Sequence, residues 1–306
     1  AIKPNLVQTI EGNPAIIHGG PFANIAQGTN TVIATKMGMS FSEYTVTEAG
    51  FGFDLGGEKF LDIKCQSAGL APKAVILTTT IRALKYHGGA GLSDLTAPNV
   101  DALKKGLPNL EKHLENVKKY NIVPVIAINK FTTDDDAEIE VIREFAAAQN
   151  IKVAVAEVWA KGGKGALELA QCLIDVVESG KSNFQPLYAW NSPVEEKIAT
   201  IAKEIYGANE VEYTAQAKAH LKRITDLGLN DLPICMAKTQ KSLSDDATLI
   251  GRPTNFSITI REIEIAAGAG FLVPITGTIM RMPGLPAHPS SEGIDVNEKG
   301  EIVGLF

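Results

Sequence analysis

Lys73-Ala74-Val75-Ile76-Leu77-Thr78-Thr79-Thr80 runs directly into Ile81-Arg82-Ala83-Leu84-Lys85-Tyr86-His87-Gly88-Gly89. The first eight residues are too few for a stable helix, strongly β-prone, and apolar enough to be buried on both faces. They predict a strand of a parallel sheet. The continuation puts the cations Arg82 and Lys85, the histidine His87 and a glycine pair at that strand's C-terminal end, where open α/β sheets bind ligands.

Downstream, the same theme repeats. Leu110 to Tyr120 is amphipathic, with Leu110, Leu114 and Val117 on one face, and the strand Ile122 to Asn129 follows. Asp134 to Ala148 reads as a helix with acids in its first turn, Ile151 to Trp159 as a strand, and Gly165 to Glu178 as a further helix. The alternation predicts an α/β fold, a parallel sheet flanked by helices, over residues 1–180. Residues 181–306 read as a smaller C-terminal α+β region. Its elements are helices at Val194 to Tyr206 and Ala215 to Leu227, a short strand at Leu232 to Lys238, and strands at Phe256 to Ile265 and Phe271 to Met280.

Upstream, Ala15 to His18 is an apolar, strand-like run. Gly19-Gly20-Pro21 breaks it before a small-residue helix from about Asn24 to Met39. Such a turn exposes backbone N–H groups that suit an anion, or is simply a βα connection; His18 beside it is a ligand, a base, or a structural hydrogen-bonding group. Thr47 to Phe60 holds Gly50, Gly52, Gly56 and Gly57 around Phe51 and Phe53. It suits neither a plain helix nor a plain strand, and reads either as a ligand loop with a ring on offer or as an aromatic-plugged connection.

With 306 residues, 45% of them hydrophobic, the chain is long enough to bury one large core or two smaller ones. The formal charge of −6, with no basic cluster longer than two residues, argues against nucleic-acid binding. No apolar run reaches membrane-spanning length and the start lacks a signal-peptide core, so a cytoplasmic protein with no membrane association is expected. Cys65, Cys172 and Cys235 lack metal or disulfide spacing and are expected as buried thiols.

Two stretches suit ligand chemistry. Phe131 lies just past one strand end and Trp159 just past the next, so the two rings either flank one planar heterocycle or pack as ordinary core. Lys161-Gly162-Gly163-Lys164-Gly165 enters a helix and suits a phosphate or a carboxylate. Asn129-Lys130 is only weakly similar to the base-reading motif of guanine-nucleotide proteins, because position 132 is threonine. The Walker motif Gly-x-x-x-x-Gly-Lys-[Ser/Thr] occurs nowhere in the sequence.

Several of these strings together resemble the C-terminal part of the formate–tetrahydrofolate ligase family. They are Ile17 to Ala26, the glycine stretch through Cys65, Ile81 to Gly89, Val158 to Gly163, Met236 to Gln240, Ser242 to Asp246, Gly251 to Thr254, Ala267 to Phe271, Met282 to Pro286 and Val303 to Phe306. The resemblance implies ligation of formate to tetrahydrofolate by way of formyl phosphate. ATP would enter as its magnesium complex, with a monovalent cation (potassium or ammonium) as a possible accessory and a homotetramer as the assembly. It also implies a P-loop NTPase-like sheet, with residues 1–180 as the remainder of a nucleotide- and folate-binding region. Phe131 and Trp159 match the pair of rings that holds the pterin, and Phe51 matches a further active-site ring. Arg82 and His87 fall within a family signature and are the weak catalytic candidates.

The sequence departs from the family at Gln27 and Thr29, where His and Cys are usual, at Thr78-Thr79, where Val-Ala is usual, and at Thr132, where proline is usual. The family's P-loop portion is expected on a separate or missing N-terminal fragment of the enzyme, so that this chain alone is inactive. A non-catalytic folate-binding or assembly module is the alternative, and a ligase of the dethiobiotin-synthetase type rests only on the βα alternation.

Overall fold

The computed structural model describes residues 3–17, 25–277, 279, 288–289, 292–300 and 302–304. β1 (Asn5–Gln8) and β2 (Pro14–Ile17) form an antiparallel ribbon apart from the central sheet. The predicted strand at Ala15 is therefore present but does not belong to a βα unit. His18 and the Gly19-Gly20-Pro21 turn lie outside the described residues, as does most of Met282 to Pro289. α1 (Val32–Phe41) starts later than the small-residue pattern suggests, because the Thr31 hydroxyl caps it by accepting the Ala34 N–H.

The second half of the glycine stretch is helical rather than a loop. Wide π turns at Phe53–Gly57 and Phe60–Cys65 lead into α2 (Gln66–Ala68), which ends at Gly69 in the left-handed region. Here the glycines serve close approach: a Cβ on Gly56 would stand 1.7 Å from the Gly50 carbonyl oxygen, and one on Gly57 2.5 Å from the Phe53 ring.

β3 (Val75–Thr79), α3 (Ile81–His87), α4 (Val100–Lys119), β4 (Pro124–Asn129), α5 (Asp136–Ala148) and β5 (Lys152–Ala156) build the predicted parallel unit, in strand order β3-β4-β5. Thr79 lies opposite Ile128, and Asn129 opposite Ala156. β4 is buried up to Ile128, whereas β3 is half-exposed with Thr78 open to solvent. That corrects the expectation of a strand buried on both faces: among the described residues β3 pairs on one side only.

α4 begins well before Leu110. Gly106 and Pro108 look like breakers, yet Gly106 lies in the helix so that α3 and α4 can touch, and its Cβ would be 1.9 Å from the Leu84 carbonyl oxygen. α6 (Val158–Lys161), a 3-10 turn at Gly162–Ala166 and α7 (Leu167–Glu178) complete this unit.

Beyond it come α8 (Val194–Thr200) with π turns at Ile201–Tyr206, β6 (Glu210–Tyr213), α9 (Ala215–Asp226), β7 (Ser257–Ala266) and β8 (Phe271–Thr276). β6 runs parallel and β8 antiparallel to β7. β6 was not predicted, and Leu232 to Lys238 is not a strand. It pairs with β8 at separate bridges from Ile234 and Ala237, through backbone hydrogen bonds such as Cys235 N–H to the Leu272 carbonyl at 2.8 Å, and Pro274 of β8, between them, has no N–H with which to join the bridges into one ladder. Cys65 and Cys235 are buried and Cys172 is half-buried. No described helix is long and apolar enough to cross a membrane.

The largest hydrophobic cluster joins Phe53, Leu61, Cys65 and Tyr120 to Tyr188, Ile198, Tyr206, Ile258 and Leu272, so it draws on both sides of residue 180. Polar groups pass through it. Asp62, fully buried, accepts the Tyr120 hydroxyl at 2.7 Å and the Leu187 N–H at 2.8 Å, while its carbonyl accepts the Trp190 indole N–H at 3.0 Å. One helical turn earlier Glu58 is also fully buried, and neither of its carboxyl oxygens meets a donor among the described residues. Burial, followed by the neighbouring Asp62 charge, pushes the Glu58 pKa well above the carboxyl range. Burial raises Asp62 as well, against the pull of its hydrogen bonds from Tyr120 and Leu187. Glu58 is therefore held as a neutral acid beside Asp62.

Both acids bind their protons more tightly in the folded chain than in the unfolded one. The stability they contribute is complete below the unfolded carboxyl pKa and is lost as pH rises through the folded values. In urea denaturation between about pH 4.5 and 8, wild type should lose stability relative to Glu58→Gln as pH rises, by at most about 1.4 kcal/mol per pH unit for each proton. A difference between the two proteins that is independent of pH would show that Glu58 is not held protonated.

Candidate functional site

Because β3, β4 and β5 are parallel and adjacent, the segments that follow them emerge along one edge of the sheet. Arg82 follows β3 on α3, Phe131 lies two residues past the end of β4, and Trp159 three past the end of β5. The Lys130 N–H reaches the Ala156 carbonyl at 3.0 Å, so the β4 and β5 exits stay paired just before the rings diverge.

Phe131 is 38% exposed and Trp159 72%. These are not the values of core packing, the bland alternative for both. The Arg82 guanidinium lies over the Phe131 ring, 4.4 Å from its centroid, and donates to the Thr133 hydroxyl at 3.0 Å. Its Nε is buried and finds no acceptor among the described residues. Cation and ring thus brace each other, and the arginine gives one ring face a fixed backing.

The turn that carries Phe131 closes on Asp134. The Asp134 N–H donates to the Phe131 carbonyl at 3.1 Å, and the Asp134 carboxylate accepts the Phe131 N–H at 2.8 Å. Asp134 therefore holds the turn, with Thr132 exposed at it.

Phe51, the third predicted ring, is 41% exposed and adopts φ of 63°, a left-handed conformation that is uncommon for a bulky side chain. The strands of backbone around it are pinned. The Gly50 N–H bonds the Gly28 carbonyl at 2.9 Å, and Thr29 bridges Ala49. This seats Gly28 and Thr29 directly against the glycine turn.

Behind the turn, buried Asp54 pairs with the fully buried Lys238 at 3.0 Å. Lys238 also donates to the Thr239 and Ser242 carbonyls and lies 5.0 Å from the Tyr206 ring centroid. Burial lowers the Lys238 pKa, and Asp54 opposes that shift. Neither Asp54 nor Lys238 was singled out from sequence. One signal was available: Asp54, Glu58 and Asp62 recur every four residues, a helical spacing of acids inside an apolar run.

His87 has a different setting. Its Nδ1 accepts the Gly251 N–H at 3.0 Å, its ring meets Tyr86 edge-on, and burial followed by nearby His113 lowers its pKa. It is thus a neutral imidazole that holds the Gly251–Arg252 segment. Arg252 in turn forms a fork with Glu115 and reaches Glu111 on α4.

The lysine–glycine stretch after Trp159 does receive a carboxylate, one from this chain. Both Glu11 oxygens accept the Gly163 N–H, at 2.9 and 3.0 Å. Beside this turn an open cleft of about 450 Å³ runs between α5 and α7, with Lys130, Arg143, Lys161 and Lys164 among its lining and Glu140 and Glu168 facing them. Among the described residues no three His, Cys, Asp or Glu side chains converge to hold a metal ion.

The edge therefore combines solvent-facing aromatic rings, a braced cation and a backbone turn that binds carboxylate, an arrangement suited to a flat anionic ligand. The family model for formate–tetrahydrofolate ligase matches residues 1–306. Ligases of that family use ATP and tetrahydrofolate in one-carbon metabolism, making formyltetrahydrofolate. Matched along its whole length, the chain belongs to the formate–tetrahydrofolate ligase family.

Proposed function

We propose that this chain supplies the folate side of a formate–tetrahydrofolate ligase site, with the pterin held between Phe131 and Trp159. The observation that carries the proposal is the exposure of both rings at neighbouring ends of parallel strands. Arg82, stacked on Phe131, keeps that ring in place, and Phe51 lines the approach to the reacting carbon.

In the reaction, a formate oxygen attacks the γ-phosphorus of ATP and ADP leaves, giving formyl phosphate. N10 of tetrahydrofolate then attacks the formyl carbon, phosphate departs, and N10 loses its proton. Formate itself is a poor acyl donor and N10 an arylamine of low nucleophilicity, so a good leaving group has to be installed first. The work asked of the protein is positioning and neutralisation of phosphoryl charge.

ATP arrives as its magnesium complex, and the loop that holds its phosphates comes from outside these residues, because no Gly-x-x-x-x-Gly-Lys-[Ser/Thr] occurs among them. The half-exposed outer edge of β3, with aliphatic Val75, Ile76 and Leu77, suits a further polypeptide carrying that loop. Within this reading residues 1–180 form the remainder of the nucleotide- and folate-binding region, residues 181–306 the C-terminal region that supports it, and the complete enzyme is a homotetramer with a monovalent cation as an accessory.

Trp159→Ala should weaken tetrahydrofolate binding roughly tenfold, from lost stacking and burial, while thermal unfolding stays unchanged because the ring is exposed. Titration calorimetry gives the first quantity and a melting curve the second. Unaltered affinity would remove Trp159 from the slot. Given formate, ATP and tetrahydrofolate, the chain alone should make no 10-formyltetrahydrofolate and should gain that activity with a P-loop polypeptide of the family. Full turnover by the chain alone would contradict the divided site.

A further inference from the structure

The turn after Trp159 is shaped around a carboxylate. Gly162 has φ of 58° and ψ of −146°, a conformation open essentially to glycine alone. A Cβ on Gly162 would stand 2.3 Å from one Glu11 carboxylate oxygen, and a Cβ on Gly163 2.7 Å from the other. The oxygens thus fill the space that side chains would take, and the Gly163 N–H lies between them. Lys161 on one side is engaged with Glu157, and Lys164 on the other faces the cleft between α5 and α7.

The group that occupies this cradle is poorly anchored. Glu11 belongs to the turn between β1 and β2, a two-stranded ribbon whose strand residues are exposed or only half-buried. It is itself exposed and reaches the turn through one shared N–H. An isolated two-stranded ribbon is marginal in water, so its tip can leave at little cost.

We propose that the Gly162–Gly163 turn, flanked by Lys164, is a subsite for a carboxylate on the tail of the planar ligand held at Trp159, and that Glu11 occupies it until that ligand arrives. The inference rests on the folate reading of the aromatic slot. Tetrahydrofolate carries its pterin at one end and glutamyl carboxylates at the other, so a ligand seated at Trp159 brings a carboxylate into competition with Glu11. The exchange replaces one carboxylate by another: the Gly163 N–H keeps a charged acceptor and the turn's local charge is unchanged. While Glu11 sits in the cradle only part of the population is competent for the tail, and apparent affinity is reduced by that fraction.

The test compares two ligands on the full chain. Tetrahydropteroate has the pterin and the aryl amine of tetrahydrofolate but no glutamate. Glu11→Ala should tighten tetrahydrofolate binding roughly three- to tenfold, the gain expected if Glu11 fills the cradle about 70–90% of the time, and should leave tetrahydropteroate binding unchanged. Gly163→Ala should weaken tetrahydrofolate toward the tetrahydropteroate value, and if that variant misfolds the Glu11→Ala comparison decides alone. No change with either ligand, or an equal change with both, would overturn the proposal and leave Glu11 as a tether for the ribbon. Failure of the aromatic slot reads out separately, as tetrahydropteroate binding that is indifferent to Trp159→Ala.

Discussion

A carboxylate taken out of water must find charge or donors inside the protein, and the acids along the Phe53–Ala68 helical stretch set the terms for everything around them. Asp54 answers Lys238, which arrives with the segment bridged to β8. Asp62 answers Tyr120 at the end of α4 and Leu187 in the connection to α8. Glu58 between them is satisfied by keeping its proton. Asp54 and Asp62 tie the stretch to different parts of the chain, and the strained turn at Phe51 projects from the fixed end of that stretch. If these partners were lost, the hydrophobic cluster joining Phe53 to Leu272 would have to hold charged groups with nothing to face.

The parallel sheet solves the complementary problem of bringing distant side chains to one place. Its register puts Asn129 opposite Ala156 and Thr79 opposite Ile128, so residues far apart in sequence leave at a common edge. Arg82, Phe131 and Trp159 emerge there on the segments that follow β3, β4 and β5. Two of them are further restrained by local devices, the Asp134-closed turn under Phe131 and the guanidinium across its face. Trp159 is carried on the short helix α6, which leads directly into the turn holding the Glu11 carboxylate.

How much of this was legible in the sequence depended on how local the determining physics was. The alternation of strands and helices from Val75 to Glu178 follows from hydrophobic periodicity within each element, and it was readable along with the aromatic positions just past β4 and β5. Elements shaped by distant partners were not. Gly106 and Pro108 resemble a helix break, yet Gly106 is needed where α3 and α4 touch. Gly56 and Gly57 suggest a loop until the nearby Gly50 carbonyl and Phe53 ring are seen to occupy the space of their Cβ atoms. Leu232 to Lys238 has strand-like composition, but Pro274 of the facing β8 has no N–H to offer it, so the pairing stays at separate bridges. The Asp54–Lys238 pair spans most of the chain, and no local pattern in the sequence marks the two as partners.

The account turns on where the pterin sits, and a crystal structure of the chain with tetrahydrofolate bound measures this directly. The pterin is expected in van der Waals contact with both the Phe131 and Trp159 rings, with the Arg82 guanidinium still stacked on Phe131. A pterin bound elsewhere, with both rings left open to solvent, would contradict it.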